Sequence, residues 1–436
     1  MHRYAPLLLS FLSRFLFSDR VLAQSTPLHS VHLLAAVLAA GVLSAGTAQA
    51  QVINIDETVT IPPPPHQDYN GHLNIGAGHD GTLNILQDGL VTVENDAVLG
   101  NSAGVTGTVN VTGPNATFST VGDITVGKNG AGILTVNNGL VQSQGSIFLG
   151  SAQGSNKETA IITAVSGATI ESQTNGITAE PTATVGTVII DHSTLIAHTG
   201  DAFRVEDGAT ATISINNVND TIHAGPGGYL LHVVGGSTAS LAASVLTTEP
   251  PEPPLEGASA LSGSTLIGDI LADATSSANV FLEHHSILTG AVNQSQLTGA
   301  TGTNPNEPIP PTAIPPLTAN LGIDSTSTWN MLASSTLSTL SVNPQAHINF
   351  ADPPSARFKT LVINRLVGTG AIFGMNLNLG LIKGDLINIL DHSEGRHLLR
   401  HVSTSSDLPE IGINFKCKTS VLVTSILTSG AVVGIA

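Results

Sequence analysis

Three stretches of this chain read almost alike at almost equal intervals. GTLNILQDGLVTV begins at Gly81, GTVNVTGPNATFSTV at Gly107 and GILTVNNGLVQS at Gly132, so the starts lie 26 and 25 residues apart. A second phase runs beside the first: LNIG ends at Gly76, AVLG at Gly100, ITVG at Gly127 and IFLG at Gly150. A repeat of this length decides the fold, because each unit can bury its apolar side only against its neighbours. Within each unit, runs such as Leu83-Asn84-Ile85 and Val109-Asn110-Val111 alternate apolar and polar, and Gly or Asn-Gly turns separate them. Such alternation marks a short strand buried on one side only. Several short strands per unit, with no helical period between them, exclude a doubly wound sheet. They predict an all-β chain whose turns stack into a parallel β-helix, or solenoid.

The composition fits that coil. Inward positions need Val, Ile, Leu or Ala, outward positions take Thr, Ser and Asn, and corners need Gly or Asn to reach positive φ. The 436 residues include 45 Gly, while charged residues make up 10% and aromatics 3%. That charged fraction lies well below the ~25% of an average globular domain. It argues against intrinsic disorder, which combines few apolar residues with high net charge. With 14 Lys+Arg against 31 Asp+Glu the net charge is −17, which excludes nucleic acid as a partner. A single Cys, Cys417, leaves no disulfide framework and no Cys-based metal site.

The first 50 residues read as a signal-peptide helix preceding the rod. Val31 to Leu43 form an apolar run, followed by SAGTAQA, where Ala48 and Ala50 give the A-x-A pattern of a cleavage site. The run is too short for a membrane span of about 20 residues. A second apolar cluster, FLSRFLF from Phe11 to Phe17, means that the signal is extended or that the start codon lies too far upstream. The chain is therefore expected to be exported. Residues 51–349 read as the body of the rod, and 416–436 as a divergent apolar tail. Pro cannot sit in a central strand. The Pro-rich stretches 249–254 and 305–316 are accordingly expected as loops protruding from the rod, while Pro62–Pro65 lies just after the expected mature start.

Candidate chemistry is sparse. Asp201, Arg204, Glu206 and Asp207 form the densest charged cluster, to be read as a solvated rung edge or as a lyase-like site. Asp191-His192-Ser193 has the residue types of a triad, but adjacent strand residues point to opposite faces and cannot relay a proton as a unit. His284-His285 is expected to fail as a metal pair for the same reason. GAGHDG, from Gly76 to Gly81, echoes a Ca²⁺-binding repeat but occurs once. Neither a Gly-x-Ser-x-Gly elbow nor a Gly-Asp-Ser-Gly motif occurs, and Cys417 reads as incidental. No catalytic, cofactor-binding or metal-ligating residue is assigned, and no cofactor is expected.

The spaced GTLNI, ITVG and GILTVNNGLV units resemble the passenger domains of autotransporters, the type V secreted proteins of Gram-negative bacteria. The likeness strengthens toward the C-terminus through LTGAVN (Leu288–Asn293), LGIDSTSTWNM (Leu321–Met331), STLSTLSV (Ser335–Val342) and HINFADPP (His347–Pro354). FKTLVINRLVGTGAIFGMNLNL (Phe358–Leu379), GDLINIL (Gly384–Leu390) and EGRHLL (Glu394–Leu399) are similar to the last rungs of pertactin-like passengers. The resemblance implies a right-handed β-helix exposed at the cell surface. It also implies that 350–415 are capping rungs that nucleate folding, and that the passenger is non-catalytic and adhesin-like, a virulence-associated protein facing a receptor on host or neighbouring cells. A carbohydrate-active β-helix enzyme and a decayed gene product are the alternatives.

Complete members of that family end in an outer-membrane translocator barrel, built from ~10-residue strands with aromatic girdles. After Leu399 the aromatic count is one, Phe415, so the barrel is expected to be absent. The chain then reads as a truncated or frameshifted passenger, an elongated monomer. It would be displayed at the outer membrane if joined to a barrel of its own and halted in the periplasm by itself.

Overall fold

In a computed structural model of the protein, the described residues are 51–62, 66–151, 158–180, 183–216, 222–243, 263–293, 317–350, 358–378, 383–393, 395–401, 411–414 and 421–424. The expected signal segment 1–50, the Pro-rich stretches 249–254 and 305–316, and Cys417 lie outside them. The chain divides into two units, Met1–Gln51 and Val52–Ala436. The second is a parallel β-solenoid, and none of its described residues is helical.

The two repeat phases turn out to be two sides of the coil. Strands Gly81–Ile85, Thr106–Thr112 and Ala131–Asn137 stack in a fourteen-stranded sheet, with Gly81 opposite Gly107 and Gly107 opposite Gly132. Strands Gly71–Ile75, Ala97–Leu99, Ile124–Val126 and Ile147–Leu149 stack in a nine-stranded sheet. A third side is a seven-stranded sheet that includes Leu90–Val93, Thr117–Thr120 and Leu140–Ser143, and a further seven-stranded sheet takes over this side from Thr265 onward.

Alternation becomes burial as expected. Gly81–Ile85 is buried at positions one, three and five, and half-buried at Thr82 and Asn84. One inward column runs through Leu83, Val109, Leu134, Ile162, Val188, Ile213, Leu241, Val280, Leu321, Leu340 and Leu366, each opposite the next in register. All are buried. At about 1.5–3 kcal/mol for each large aliphatic side chain removed from water, this column is a main source of stability.

The corners explain the glycines. Gly76 has φ +75°, and a Cβ there would stand 2.6 Å from the Thr106 carbonyl oxygen. Gly107 needs no unusual φ, but its Cβ would lie 2.0 Å from the Ile75 carbonyl oxygen. The chain bends so tightly between the two sheets that only hydrogen fits.

Most coils repeat in 23 to 30 residues, but Ala239 pairs with Ala278 and Ala278 with Ala319, steps of 39 and 41. These two long steps contain the Pro-rich stretches 249–254 and 305–316, and paired strands resume directly on either side. From Gln51 to Thr289 the strands come in threes, one to each side; from Ala319 to His401 each coil adds one strand to the long sheet and one to the third side, and Leu377–Asn378 and Lys383–Gly384 form a separate antiparallel pair. At the C-terminal end the parallel order stops. Ile411–Asn414 pairs antiparallel with Arg396–Leu399, and Val421–Thr424 pairs antiparallel with Leu386–Ile389.

Candidate functional site

Most aspartates among the described residues are turned on the backbone of the neighbouring coil. Asp56 Oδ1 accepts from the amides of Ala77 (2.7 Å) and Gly78 (2.8 Å), and Asp80 Oδ1 accepts from Thr106 (2.7 Å). Asp123 accepts from Ser146, Asp269 from Ala291, and Asp324 from His284, each at 2.7 Å. Such bonds satisfy amides that a turn leaves without a strand partner. They hold Asp56 below the usual carboxylate range, through the Gly78 and Ala77 amides. GAGHDG is thus flanked by two carboxylates, Asp56 and its own Asp80, that staple one coil to the next.

The charged cluster at 201–207 is a closed network. Arg204 Nε donates to Glu206 Oε2 (2.6 Å) and Nη1 to Asp201 Oδ2 (3.2 Å). His232 stands opposite Arg204 on the next coil, its Nδ1 2.8 Å from Asp201 Oδ2 and 3.1 Å from Arg204 Nη1. One ring nitrogen cannot donate to the first and accept from the second in the same tautomer. The shorter contact to a carboxylate assigns the proton to Nδ1. Asp201 Oδ1 accepts from the Tyr229 amide (2.8 Å), and the Tyr229 and His232 rings lie 4.8 Å apart. Burial pushes the Asp201 carboxyl up, but the bonds from His232, Tyr229 and Arg204 outweigh it and hold it below its ordinary range. Burial likewise works against charge on Arg204, and Glu206 and Asp201 together raise it further above neutrality. Asp207 stands apart, exposed in a turn at φ +57°.

The Asp191-His192-Ser193 segment differs from expectation in its reason. His192 is not a strand residue: its φ is +47°, and its Nδ1 lies 2.6 Å from Asp191 Oδ1. Adjacent residues do meet here, because a left-handed turn replaces the alternation of a strand. The relay still does not form. Ser193 Oγ is buried and donates to the Asp191 backbone carbonyl at 2.8 Å. His284 and His285 also sit in a left-handed turn, at φ +54° and +65°, with their amides bonded to Asp324 Oδ2 and Thr326 Oγ1. Among the described residues no three His, Cys, Asp or Glu side chains are placed to hold a metal ion.

A second polar centre lies in the last coils, and nothing in the sequence pattern marked it. Asp385, 1% exposed, accepts from the amides of Lys359 (2.6 Å) and Asn376 (2.7 Å). Burial pushes its carboxyl above the ordinary range despite these bonds. His397, also buried, meets Phe373 edge-on at 5.8 Å between ring centroids. Residues 337–410, which hold this centre, match the family model described as Pertactin.

The chain carries a pertactin domain.

The pertactin domain belongs to the autotransporter passenger family, and it forms the C-terminal coils of the solenoid. No curated protein matches the chain. His232 and Tyr229 were missed at the charged cluster because they are 28 and 25 residues beyond Arg204. The repeat period itself was the signal that could have found them, since residues one coil apart are neighbours.

Proposed function

We propose that the protein is a non-catalytic, adhesin-like passenger, a right-handed rod that presents its outer faces and loops to a receptor on host or neighbouring cells. The observation that carries this reading is the pertactin domain at the C-terminal end of a continuous parallel solenoid. The side-chain chemistry supports it. Asp201, Arg204, Glu206 and His232 satisfy one another, with the His232–Asp201 contact joining two coils, and Ser193 Oγ is bonded to the Asp191 backbone carbonyl. A monomeric chain suits a solenoid whose coils contact only their neighbours. Joined to a translocator barrel the rod is displayed outside the outer membrane; by itself it stays in the periplasm. Protease added to intact cells tests both arms. The barrel-joined chain should be digested and the chain by itself protected. Protection of the first, or digestion of the second, overturns the reading.

A further inference from the structure

Among the described residues Phe281 is the exposed aromatic, at 43%, whereas Trp329, Phe118, Phe203, Phe350 and Phe373 are buried. It points outward from the strand Ser277–Leu282 in the long sheet. Its register neighbours are Ala242 on one coil and Gly322 on the next. A Cβ on Gly322 would stand 2.9 Å from Phe281 Cδ1 and 3.5 Å from Cε1. The ring therefore lies down over the glycine and turns its other face to water. Two residues back on the same face, Asn279 begins an uncharged polar rank. Ser240 and Asn320 flank it in register, Thr339 follows Asn320, and Asn320 Nδ2 donates to Asn279 Oδ1 at 2.8 Å. Glu283, exposed, stands two residues beyond the ring.

We propose that this strip binds a neutral glycan, with a sugar ring stacked on Phe281 and its hydroxyls bonded by Asn279, Asn320 and Thr339. A flat aromatic face beside fixed amides matches a pyranose, which has one apolar C–H face and a rim of hydroxyls. Coils about 4.8 Å apart and outward residues about 6.8 Å apart along a strand put the amides within reach of the same sugar or the next. One ring on a flat sheet is too small an apolar area for a protein interface, which needs several buried anchors. Glu283 and the net charge of −17 disfavour uronate or sialylated polymers, against the single positive charge of Arg365, which is exposed and stands opposite Thr339 at the end of the rank. The site gives the surface passenger its ligand class and rests on that reading only for its access to foreign glycans. Binding by purified protein can fail while display at the surface holds.

The test is affinity electrophoresis of the purified full chain in gels holding a β-glucan, a mannan, a galactan or, for comparison, polygalacturonate. Retardation is expected from at least one neutral polymer and none from the polyuronate. Phe281→Leu keeps an apolar cover over Gly322 but removes the π-face, and should weaken binding about five- to tenfold with an unchanged melting temperature. Asn320→Ala should weaken it a few-fold. No retardation by any neutral polymer, or equal retardation of Phe281→Leu, overturns the proposal and leaves the ring as a cover for the glycine.

Discussion

The coils between Gln51 and Thr289 and those between Ala319 and His401 share one long sheet but are built differently inside. On the third side of the first group the inward column reads Val91, Phe118, Val141, Ile170, Leu195, Ile222. On the same side of the second it reads Trp329, Ile348, Phe373, Leu399. Where strands stop coming in threes, larger and more specific side chains fill the interior, with Met331, Phe350 and Met375 also buried. Buried polar groups gather there too, including Lys359, Asp385, Asn388 and His397. The family match covers 337–410 and so falls in this second group. A regular coil can be filled by almost any aliphatic sequence of the right period, so it advertises its fold and hides its kin. An irregular coil needs particular residues in particular places, and those are what a family shares.

The largest expected effect comes from the residue that makes the second group most particular. Trp329 is fully buried, and its Nε1 donates to the Gly290 carbonyl at 3.0 Å. Trp329→Ala removes the largest core side chain and leaves that carbonyl unpaired, at a cost of about 3–5 kcal/mol. Val141→Ala, on the same side of a regular coil, loses two methyl groups and should cost about 1–2 kcal/mol. Urea midpoints by circular dichroism measure both. Equal shifts would mean that the two interiors are packed alike.

Within the regular coils the corner is the place to break the repeat. Gly107→Ala sets a Cβ 2.0 Å from the Ile75 carbonyl oxygen, and backbone must move to admit it. The expected cost is about 1–3 kcal/mol, read from the same urea midpoints. A variant as stable as the parent would show that the corner is looser than this spacing requires.

These corners show how far the sequence could be read. Gly81, Gly107 and Gly132 sit at one position of the coil, and their spacing in the chain is enough to stack them. The inward and outward faces follow from alternation alone. The candidate residues were less legible, for a physical reason. Asp56, Asp123 and Asp269 bond backbone amides a coil away, and an amide carries no letter in the sequence. His192, His284 and His285 were placed on strands by their neighbours, whereas each occupies a left-handed turn that Asn or Gly more often fills. Asp385 and Lys359 were invisible because apolar strands surround them, and nothing in the spacing marks a charged group as buried.

Acid should weaken the first group more than the second. There Asp385, raised by burial, offsets Asp324, which burial pushes up but bonds from Ser327, the His284 amide and Thr326 hold down. Burial pushes the half-buried Asp273 carboxyl up, but bonds from Ser276, the Gly235 amide and Thr275 hold it at about 2. A carboxyl depressed in the folded state stabilises above its unfolded pKa, and that contribution is lost as pH falls from about 4 toward 2. Asp201 and Asp56 are shifted the same way. Asp385 is raised by burial, so its contribution favours the folded state at low pH and is lost as pH rises through its folded value. The chain's one Trp reports on the second group, and circular dichroism reports on all coils. Acidification from pH 7 to 2 should diminish the dichroism before it changes the Trp329 emission. Asp273→Asn should shift the dichroism transition only slightly, since solvent screens its charge. Loss of Trp emission first would reverse the assignment.

The smallest effect should erase the contrast, because the outer faces of both groups follow one rule. Asn110 Nδ2 donates to Asn84 Oδ1 at 2.9 Å in the regular coils, and Asn349 Nδ2 donates to Asn330 Oδ1 at 3.1 Å in the second group. Each is a side-chain amide bond between register neighbours, half-buried, with water able to replace a lost partner. A single bond of this kind contributes about 0.5–1 kcal/mol net. Asn110→Ala and Asn349→Ala should therefore cost about the same, within that range, although Asn110 lies on a coil filled by Val109, Val111 and Phe118 and Asn349 in the group that buries Trp329, Phe350 and Phe373. Urea denaturation of both variants, each against the parent, measures the difference. Equal costs place the distinction between the two groups wholly in their interiors. A cost for Asn349→Ala several times that of Asn110→Ala would mean that the outward ladder, too, is specialised in the pertactin domain.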